Sequence, residues 1–125
     1  MRTIPIKESL TIEFKSDKKK YSDADLVDEI VGMTNTKGGT LYLGVEDNGE
    51  VTGVHPKHKD AIGVTALIAN STVPSVSVRA EVITEEEKDV LKIEIPVDIS
   101  HILGNLITVI FDYQILRKPL KILSL

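Results

Sequence analysis

The sequence predicts an α/β (α+β) fold: a single domain in which two helices pack on a small mixed sheet of about five or six strands. Two segments, residues 23–34 and 60–70, repeat apolar residues with the helical period. Other segments alternate apolar and polar residues with a period of two, which is typical of half-buried strands. The 125 residues include no cysteine and no tryptophan. The core is therefore expected to be aliphatic and to form without disulfides or cysteine-bound zinc.

The helix boundaries are indicated by capping and breaking residues. Ser22 is followed three residues later by Asp25, a capping-box-like start for the first helix. The pair Gly38-Gly39 follows this helix, and glycine readily adopts the left-handed conformations that end helices. The second helix should end before Val73-Pro74, because the residue before a proline avoids the helical conformation.

Five strands are expected from the patterns of apolar residues and turns. Residues 10–15 alternate and should turn Leu10, Ile12 and Phe14 inward, while the nearly continuous apolar run 40–45 is typical of a strand buried on both faces. Asn48-Gly49 favours a type I′ turn that leads into a partner strand over 51–54. The alternation in residues 76–82 and 91–95 predicts a second hairpin, joined by an acidic turn.

The character of the chain changes after residue 96. We predict a domain over residues 1–96 and a separate apolar C-terminal segment over residues 97–125, within which 106–116 is compatible with either a strand or a helix. An exposed surface of this composition would require a partner. A protein-interaction or oligomerisation domain, with this segment as the subunit contact, is therefore one of three functional hypotheses.

Charge and targeting signals limit the function further. The N-terminal residues lack the apolar region of a signal peptide, and no apolar run approaches the roughly 18 residues of a membrane span. We therefore expect a cytoplasmic protein with no membrane partner. The formal net charge is −4, from 15 basic and 19 acidic residues, so the chain as a whole does not attract polyanions. Binding to nucleic acid would require a local basic patch.

Three acidic residues lie near predicted strands or turns, namely Glu8, Glu13 and Asp47. Clustered carboxylates repel each other, and Mg²⁺ or Mn²⁺ relieves that repulsion while binding phosphate oxygens or activating water. Glu8 and Glu13 are five residues apart, which would put them on opposite faces of one continuous strand, so Glu8 must lie on a preceding turn or across a bulge to converge with Glu13. On spacing alone, solvated strand-face and turn residues are the favoured interpretation.

One dense basic cluster stands beside these acids, formed by Lys15, Lys18, Lys19 and Lys20. These lysines could contact phosphates in a sequence-indifferent, salt-dependent manner. The alternative is an ordinary charged surface loop, in which nearby aspartates reduce the local field. No aromatic residues are interleaved with the lysines, so stacking on bases is not indicated.

Two further motifs carry little functional signal. The turn at residues 35–40 could present backbone N–H groups to an anion, but its glycines follow a helix and lack the spacing of an ATPase phosphate loop. His55 and His58 are three residues apart, and a solvated loop is the favoured interpretation because no third zinc ligand lies nearby in the sequence.

In order and spacing, several segments resemble the Schlafen/AlbA-like domain family over about residues 7–96. They are Glu8-Ser9, Ile12-Glu13-Phe14-Lys15, Asp25-Leu26-Val27, Asn35-Thr36-Lys37-Gly38-Gly39, Leu43-Gly44-Val45-Glu46-Asp47 and the stretch from Gly49 to Gly53. The segment after Pro96 departs from the family pattern, which usually continues with a basic, aromatic strand.

The resemblance implies a DNA- or RNA-binding module with a regulatory or accessory role, for instance in transcription regulation. In animal relatives a three-carboxylate site cleaves RNA with a divalent metal, and its acids fall on Glu8, Glu13 and Asp47. The resemblance therefore also implies a metal-dependent endoribonuclease that uses Mg²⁺ or Mn²⁺. The family's nuclease cradle has two lobes, of which one chain supplies one, and a homodimer could supply the second.

Overall fold

The computed structural model describes residues 2–98, which form two helices and one sheet of four strands. The elements are β1 (Ile12–Lys15), α1 (Asp23–Thr34), β2 (Gly39–Leu43), α2 (Ala61–Asn70), β3 (Arg79–Glu85) and β4 (Lys88–Ile95). A short 3₁₀ turn, Pro56–Lys59, leads into α2. The predicted small α+β domain is confirmed, although the described part of the chain has four strands where about five or six were expected.

The sheet is mixed, with strand order β1-β2-β4-β3. β1 runs parallel to β2, whereas β4 is antiparallel to both of its neighbours, β2 and β3. A parallel pair needs a crossover connection, and α1 supplies it between β1 and β2. β1 is therefore an edge strand of this sheet, and its outer side is open to other groups.

Helix α1 begins and ends where its sequence predicts. The Ser22 hydroxyl accepts a hydrogen bond from the Asp25 N–H at 3.1 Å, which satisfies one of the free donors of the first turn. At the other end, Gly38 has a φ of 65°, and its N–H donates to the Met33 carbonyl at 2.7 Å. This left-handed glycine closes the helix and turns the chain into β2.

The predicted hairpin at Asn48-Gly49 is wrong in its turn type and its second strand. A type I′ turn needs positive φ at both central residues, but of these two only Gly49 has one. The Gly49 N–H instead donates to the Glu46 carbonyl at 2.8 Å, and pairing is limited to an isolated bridge between Val45 and Val51. Residues 51–54 therefore add no strand to the sheet, which explains the lower strand count.

The two-residue turn with positive φ lies in the other hairpin. Glu86 and Glu87 have φ values of 54° and 64° and connect β3 to β4, with Glu85 paired to Lys88. Positive φ at both central residues matches the right-handed twist of the flanking strands. The predicted acidic hairpin is thus confirmed, with two glutamates in positions that usually favour asparagine or glycine.

The expected inward position of Leu10 is also wrong. Leu10 is 82% exposed because it lies at the tip of a tight turn, in which the Ser9 N–H donates to the Ile12 carbonyl at 3.1 Å. The period of two holds only from Ile12 onward, where Phe14 is fully buried. The alternation in the sequence therefore begins at Leu10, within the turn, before the strand itself begins at Ile12.

Side chains on both faces of the sheet are buried. One core lies between the sheet and the two helices, and it includes Leu26, Ile30, Leu41, Leu43, Val64, Ile68, Val76, Val78, Leu91, Ile93 and Ile95. A smaller core on the opposite face includes Ile4, Phe14, Tyr42, Val45, Val51 and Val90. Leu41 and Tyr42 belong to different cores because neighbouring strand residues point to opposite faces. β2 is thus buried on both faces, as its apolar sequence predicts.

The N-terminal residues close the smaller core. Both the Thr3 and the Ile4 N–H donate to Glu85 Oε1, the latter at 2.8 Å. The Arg2 guanidinium donates to the Gly49 carbonyl at 2.6 Å, which joins this segment to the turn after β2. These contacts hold Ile4 over the sheet at 2% exposure.

The C-terminal segment lies almost entirely outside the described residues. Of residues 97–125 only Val97 and Asp98 are described, and the Asp98 N–H donates to the Thr34 carbonyl at 2.9 Å. The domain boundary at residue 96 and the subunit-contact hypothesis therefore stay predictions. Within residues 2–98, no helix combines the length and the apolar character needed to cross a membrane.

Candidate functional site

The turn before β1 brings Glu8 beside Glu13. Ser9 and Ile12 form an antiparallel bridge, and continuing that register by one residue places Glu8 opposite Glu13. Glu8 Oε1 accepts the Phe14 N–H at 2.9 Å. The Phe14 N–H would otherwise be unpaired on the edge strand, so this bond gives Glu8 a defined position. The two glutamates therefore meet across a tight turn, where the spacing required either a turn at Glu8 or a bulge.

Glu13 and Lys15 share one face of β1, opposite buried Phe14. Lys15 Nζ lies 3.3 Å from Glu13 Oε1 and 2.8 Å from Glu29 Oε1, and Glu29 extends from α1. All three side chains are roughly one-third exposed or less, at 33% for Glu13 and 28% for the other two. We call Glu8, Glu13, Lys15 and Glu29 the β1 edge cluster.

Burial and charge in the β1 edge cluster shift the pKa values of Glu13 and Lys15. Burial raises the pKa of Glu13 above its ordinary value, and the charges of Glu8 and Glu29 raise it further, while hydrogen bonding to Lys15 offsets part of this effect. Burial alone would lower the pKa of Lys15, but its hydrogen bonds and ion pairs with Glu29 and Glu13 outweigh burial and raise it. One cation, Lys15, thus pairs with two carboxylates, Glu13 and Glu29, at the sheet edge.

Asp47 is not in contact with the β1 edge cluster. It is exposed at the turn after β2, and among the described residues its side chain forms no hydrogen bond or ion pair. The backbone of this turn contacts the N-terminal segment at Ile6 and Arg2. The structure therefore brings Glu8 and Glu13 together but does not place Asp47 in contact with them.

A three-residue metal-binding group is not formed in the described part of the chain. Within residues 2–98, no three histidine, aspartate or glutamate side chains are grouped so that they could hold a metal ion. Glu8 and Glu13 alone supply carboxylate oxygens of the type that Mg²⁺ and Mn²⁺ prefer. A catalytic role for Glu8, Glu13 and Asp47 together stays a prediction.

The predicted basic cluster divides into two kinds of lysine. Lys15 is paired with two carboxylates, whereas Lys18, Lys19 and Lys20 are exposed in the loop between β1 and α1. We call residues 18–20 the lysine loop. Its three side chains are accessible to phosphates, whereas Lys15 is held by the ion pairs of the β1 edge cluster.

Glu46 is a site residue that sequence reasoning missed. The Thr52 hydroxyl donates to Glu46 Oε2 at 2.6 Å. Burial raises the pKa of Glu46, but hydrogen bonds from Thr52 and Ser16 and the charge of Lys18 outweigh it and lower the pKa overall. Of the two adjacent acids after β2, Glu46 is therefore the one that turns back toward the lysine loop. The only sequence signal for this orientation is that Glu46 directly follows the apolar run that ends at Val45.

The expectation of a solvated loop is wrong for His58, which is 2% exposed. Its Nδ1 lies 2.7 Å from Oδ2 of Asp17, which is 3% exposed. Asp17 also accepts the N–H groups of Tyr21 and His55, each at 2.7 Å. Asp17 and His58 are 41 positions apart, so no local sequence pattern predicts this pair.

The glycine turn after α1 is packed against backbone. A Cβ atom on Gly38 would lie 2.6 Å from the Ile95 carbonyl oxygen and 2.8 Å from the Val97 nitrogen. This packing supports helix termination and close contact with the end of β4. It leaves anion binding by this turn without structural support.

The fold and these sites define a small α+β domain with an acidic edge cluster next to an exposed lysine loop. The family described as Schlafen, AlbA_2 matches residues 8–110, and the chain belongs to this family. The match extends beyond residue 96, where the resemblance was expected to end. It also covers the β1 edge cluster and the lysine loop.

A solved structure supports the fold. The chain is similar to the DIP2311 protein from Corynebacterium diphtheriae, with 22% sequence identity and a TM-score of 0.57. The similarity covers 78% of this chain but only 20% of that protein, so the shared part is one portion of a longer molecule. No curated protein matches this chain.

Proposed function

We propose that this domain is a nucleic-acid-binding module whose lysine loop contacts the phosphate backbone. The observation that carries the proposal is the exposure of Lys18, Lys19 and Lys20 on one short loop. Membership of the Schlafen, AlbA_2 family supports a role connected with nucleic acid. A regulatory or accessory role in the cytoplasm belongs to the same proposal.

The local charge distribution favours a backbone contact over base recognition. The chain has a net charge of −4, so attraction is confined to the lysine loop and its surroundings. Lysine side chains on an exposed loop neutralise phosphates without reading bases. The domain is therefore expected to bind RNA or single-stranded DNA with little sequence preference and with strong salt dependence.

The experiment is a fluorescence anisotropy titration of labelled RNA and single-stranded DNA at several salt concentrations. A double variant, Lys18→Gln with Lys19→Gln, should weaken binding and reduce the salt slope by about 1.4 if each lysine neutralises one phosphate of a single strand. The matched control is Lys37→Gln with Arg79→Gln, which removes the same charge at exposed positions elsewhere. Equal losses in both double variants would contradict a specific role for the lysine loop.

A metal-dependent endoribonuclease is the second candidate function, and the β1 edge cluster favours it. Glu8 and Glu13 lie close together, and the pKa of Glu13 is raised. Repulsion between neighbouring carboxylates and perturbed pKa values are both common at functional sites. Glu8 and Glu13 would hold Mg²⁺ or Mn²⁺, which would supply charge neutralisation at the phosphate. Lys15 would stabilise charge developing on the phosphate, and Asp47 would join the site from the turn after β2.

Cleavage of structured RNA in Mn²⁺ or in EDTA tests this candidate. Glu13→Gln should abolish metal-dependent cleavage while the protein stays folded, since Glu13 lies on the polar face of β1. Asp47→Asn, at an exposed residue, tests whether Asp47 belongs to the site. Loss of cleavage would show that it does, and unchanged cleavage would show that it does not. Cleavage that survives Glu13→Gln would overturn the nuclease proposal.

Light-scattering mass in the same buffers tests the homodimer that a two-lobed cradle would need. A dimer that forms with RNA and metal would support the two-lobed site. A monomer that still cleaves RNA would contradict the need for a second lobe. A dimer in the absence of any nucleic-acid binding would instead favour the protein-interaction hypothesis.

A further inference from the structure

A cleft of about 350 Å³ lies between the starts of the two helices, and no residue of the β1 edge cluster lines it. His58 forms part of its wall, together with Lys20, Asp23, Lys57 and Asp60. Asp23 is the first residue of α1, and Asp60 caps the N-terminus of α2. The positive ends of both helix dipoles therefore meet at this cleft.

The Nε2 atom of His58 is buried and has no hydrogen-bond partner among the described residues. The opposite ring nitrogen, Nδ1, lies 2.7 Å from the Asp17 carboxylate, which fixes the ring orientation and assigns the Nδ1 proton to that bond. A buried polar atom without a partner is costly, and such an atom in a folded protein calls for an explanation. A ligand in the cleft would provide the missing partner.

We propose that this cleft binds a phosphate group, which accepts a hydrogen bond from Nε2 of protonated His58. Lys20 and Lys57 line the cleft and are exposed, and within residues 2–98 neither forms an ion pair. They would neutralise the phosphate charge. The phosphate could belong to free phosphate, a nucleotide or a nucleic acid, and for a nucleic acid the inference rests on the proposed function.

The two acidic residues of the cleft leave room for this ligand. Asp60 Oδ1 accepts the Gly63 N–H at 2.9 Å, so its carboxylate is already used as a helix cap. Asp23 Oδ1 lies 3.9 Å from Nε2 of His58, and the Asp23 side chain is 56% exposed. Rotation of Asp23 toward solvent would let a phosphate oxygen take its place next to Nε2.

Charged and titratable groups from every surrounding element face His58. Asp17 Oδ2 lies 2.7 Å from Nδ1, and Asp23 Oδ1 lies 3.9 Å from Nε2. The His55 ring has its centroid 6.4 Å from that of His58. Lys20, Lys57 and Asp60 line the same cleft.

The experiment is an NMR titration of the ¹⁵N-labelled full chain, following the imidazole signals of its three histidines. Inorganic phosphate should shift the Nε2 signal of His58 in a saturable manner. Lys57→Gln and Lys20→Gln should each weaken that binding at least fivefold. Lys37→Gln should leave it unchanged, because Lys37 follows the far end of α1, roughly 18 Å along the helix.

A substitution of the histidine itself tests the contact with Nε2. His58→Gln should weaken the binding of inorganic phosphate if the variant remains folded. If it does not fold, the lysine variants and the His58 ring signal of the natural sequence decide the proposal.

Three outcomes would overturn the proposal. They are a His58 signal that does not respond to phosphate, equal responses in Lys57→Gln and Lys37→Gln, and a response to Zn²⁺ without one to phosphate. A 5′-phosphorylated oligonucleotide, compared with its 5′-hydroxyl form, distinguishes a terminal phosphate from the backbone. The double variant at Lys18 and Lys19 should weaken oligonucleotide binding without affecting inorganic phosphate, so the two proposals fail separately.

Discussion

Oδ2 of Asp17 lies 2.7 Å from Nδ1 of His58, and the two buried side chains join the loop after β1 to the 3₁₀ turn before α2. Asp17 also accepts two main-chain N–H groups, from Tyr21 and His55. A single carboxylate therefore fixes two loops that are distant in the sequence. These loops form opposite walls of the cleft at the start of the helices.

Asp17→Ala should strongly destabilise the protein. It would leave two main-chain donors and the His58 ring without their buried acceptor, and breaking a buried pair of this kind costs about 3–5 kcal/mol. Urea denaturation measures the free energy of unfolding. Asp47→Asn, at an exposed position, is the control and should stay within about 0.5 kcal/mol of the natural sequence. A loss below about 1 kcal/mol for Asp17→Ala would contradict the importance of the buried pair.

The N-terminal segment should be released as the pH falls. Hydrogen bonds from Ile4 and Thr3 lower the pKa of Glu85 below 4.5, and burial only partly opposes this. The ionised carboxylate of Glu85 therefore stabilises the fold above pH 4.5. This stabilisation is lost as the pH falls through the lowered pKa. Thermal unfolding from pH 7 to pH 3 should show a steeper loss for the natural sequence than for Glu85→Gln. Parallel pH profiles would show that Glu85 contributes nothing through its charge.

Two glycine substitutions should act in opposite directions. Gly32 lies within α1 with open space around it, so Gly32→Ala should stabilise the protein by about 0.5–1 kcal/mol. Gly39 has a φ of 127°, and a Cβ atom there would collide with the Thr11 backbone. Gly39→Ala should therefore destabilise the protein by about 1–3 kcal/mol, from backbone strain alone. Equal effects in chemical denaturation would contradict the close approach of β2 to the turn before β1.

The β1 edge cluster should be electrostatically strained at neutral pH. The raised pKa of Glu13 means that its ionised form is disfavoured in the folded state, a cost present above the folded pKa and absent at low pH. Glu13→Gln should therefore be at least as stable as the natural sequence at pH 7, and this advantage should disappear near pH 3. Lys15→Met should be less stable at pH 7, since Glu13 and Glu29 would lose their shared cation. Denaturation at both pH values checks this, and a Glu13→Gln variant that is less stable at pH 7 would count against it.

The sequence alone determined the local structure wherever local interactions dominate. The cap at Ser22 and the left-handed glycine after α1 act over a few residues, so the bounds of α1 were predictable. The burial of β2 followed from its continuous apolar run. The odd spacing of Glu8 and Glu13 indicated only that a turn or a bulge would be needed to bring them together.

Only the tertiary structure decided which distant side chains meet. Lys15 pairs with Glu29 on α1, Glu85 binds the N-terminal main chain, and Asp17 holds His58. None of these pairs leaves a periodic signal, because each depends on how the helices and loops pack against the sheet. The two hairpins show the same effect. Asn48-Gly49 is drawn into a different turn by its contacts with the N-terminal segment, while Glu86 and Glu87 adopt positive φ because the register of β3 and β4 requires it.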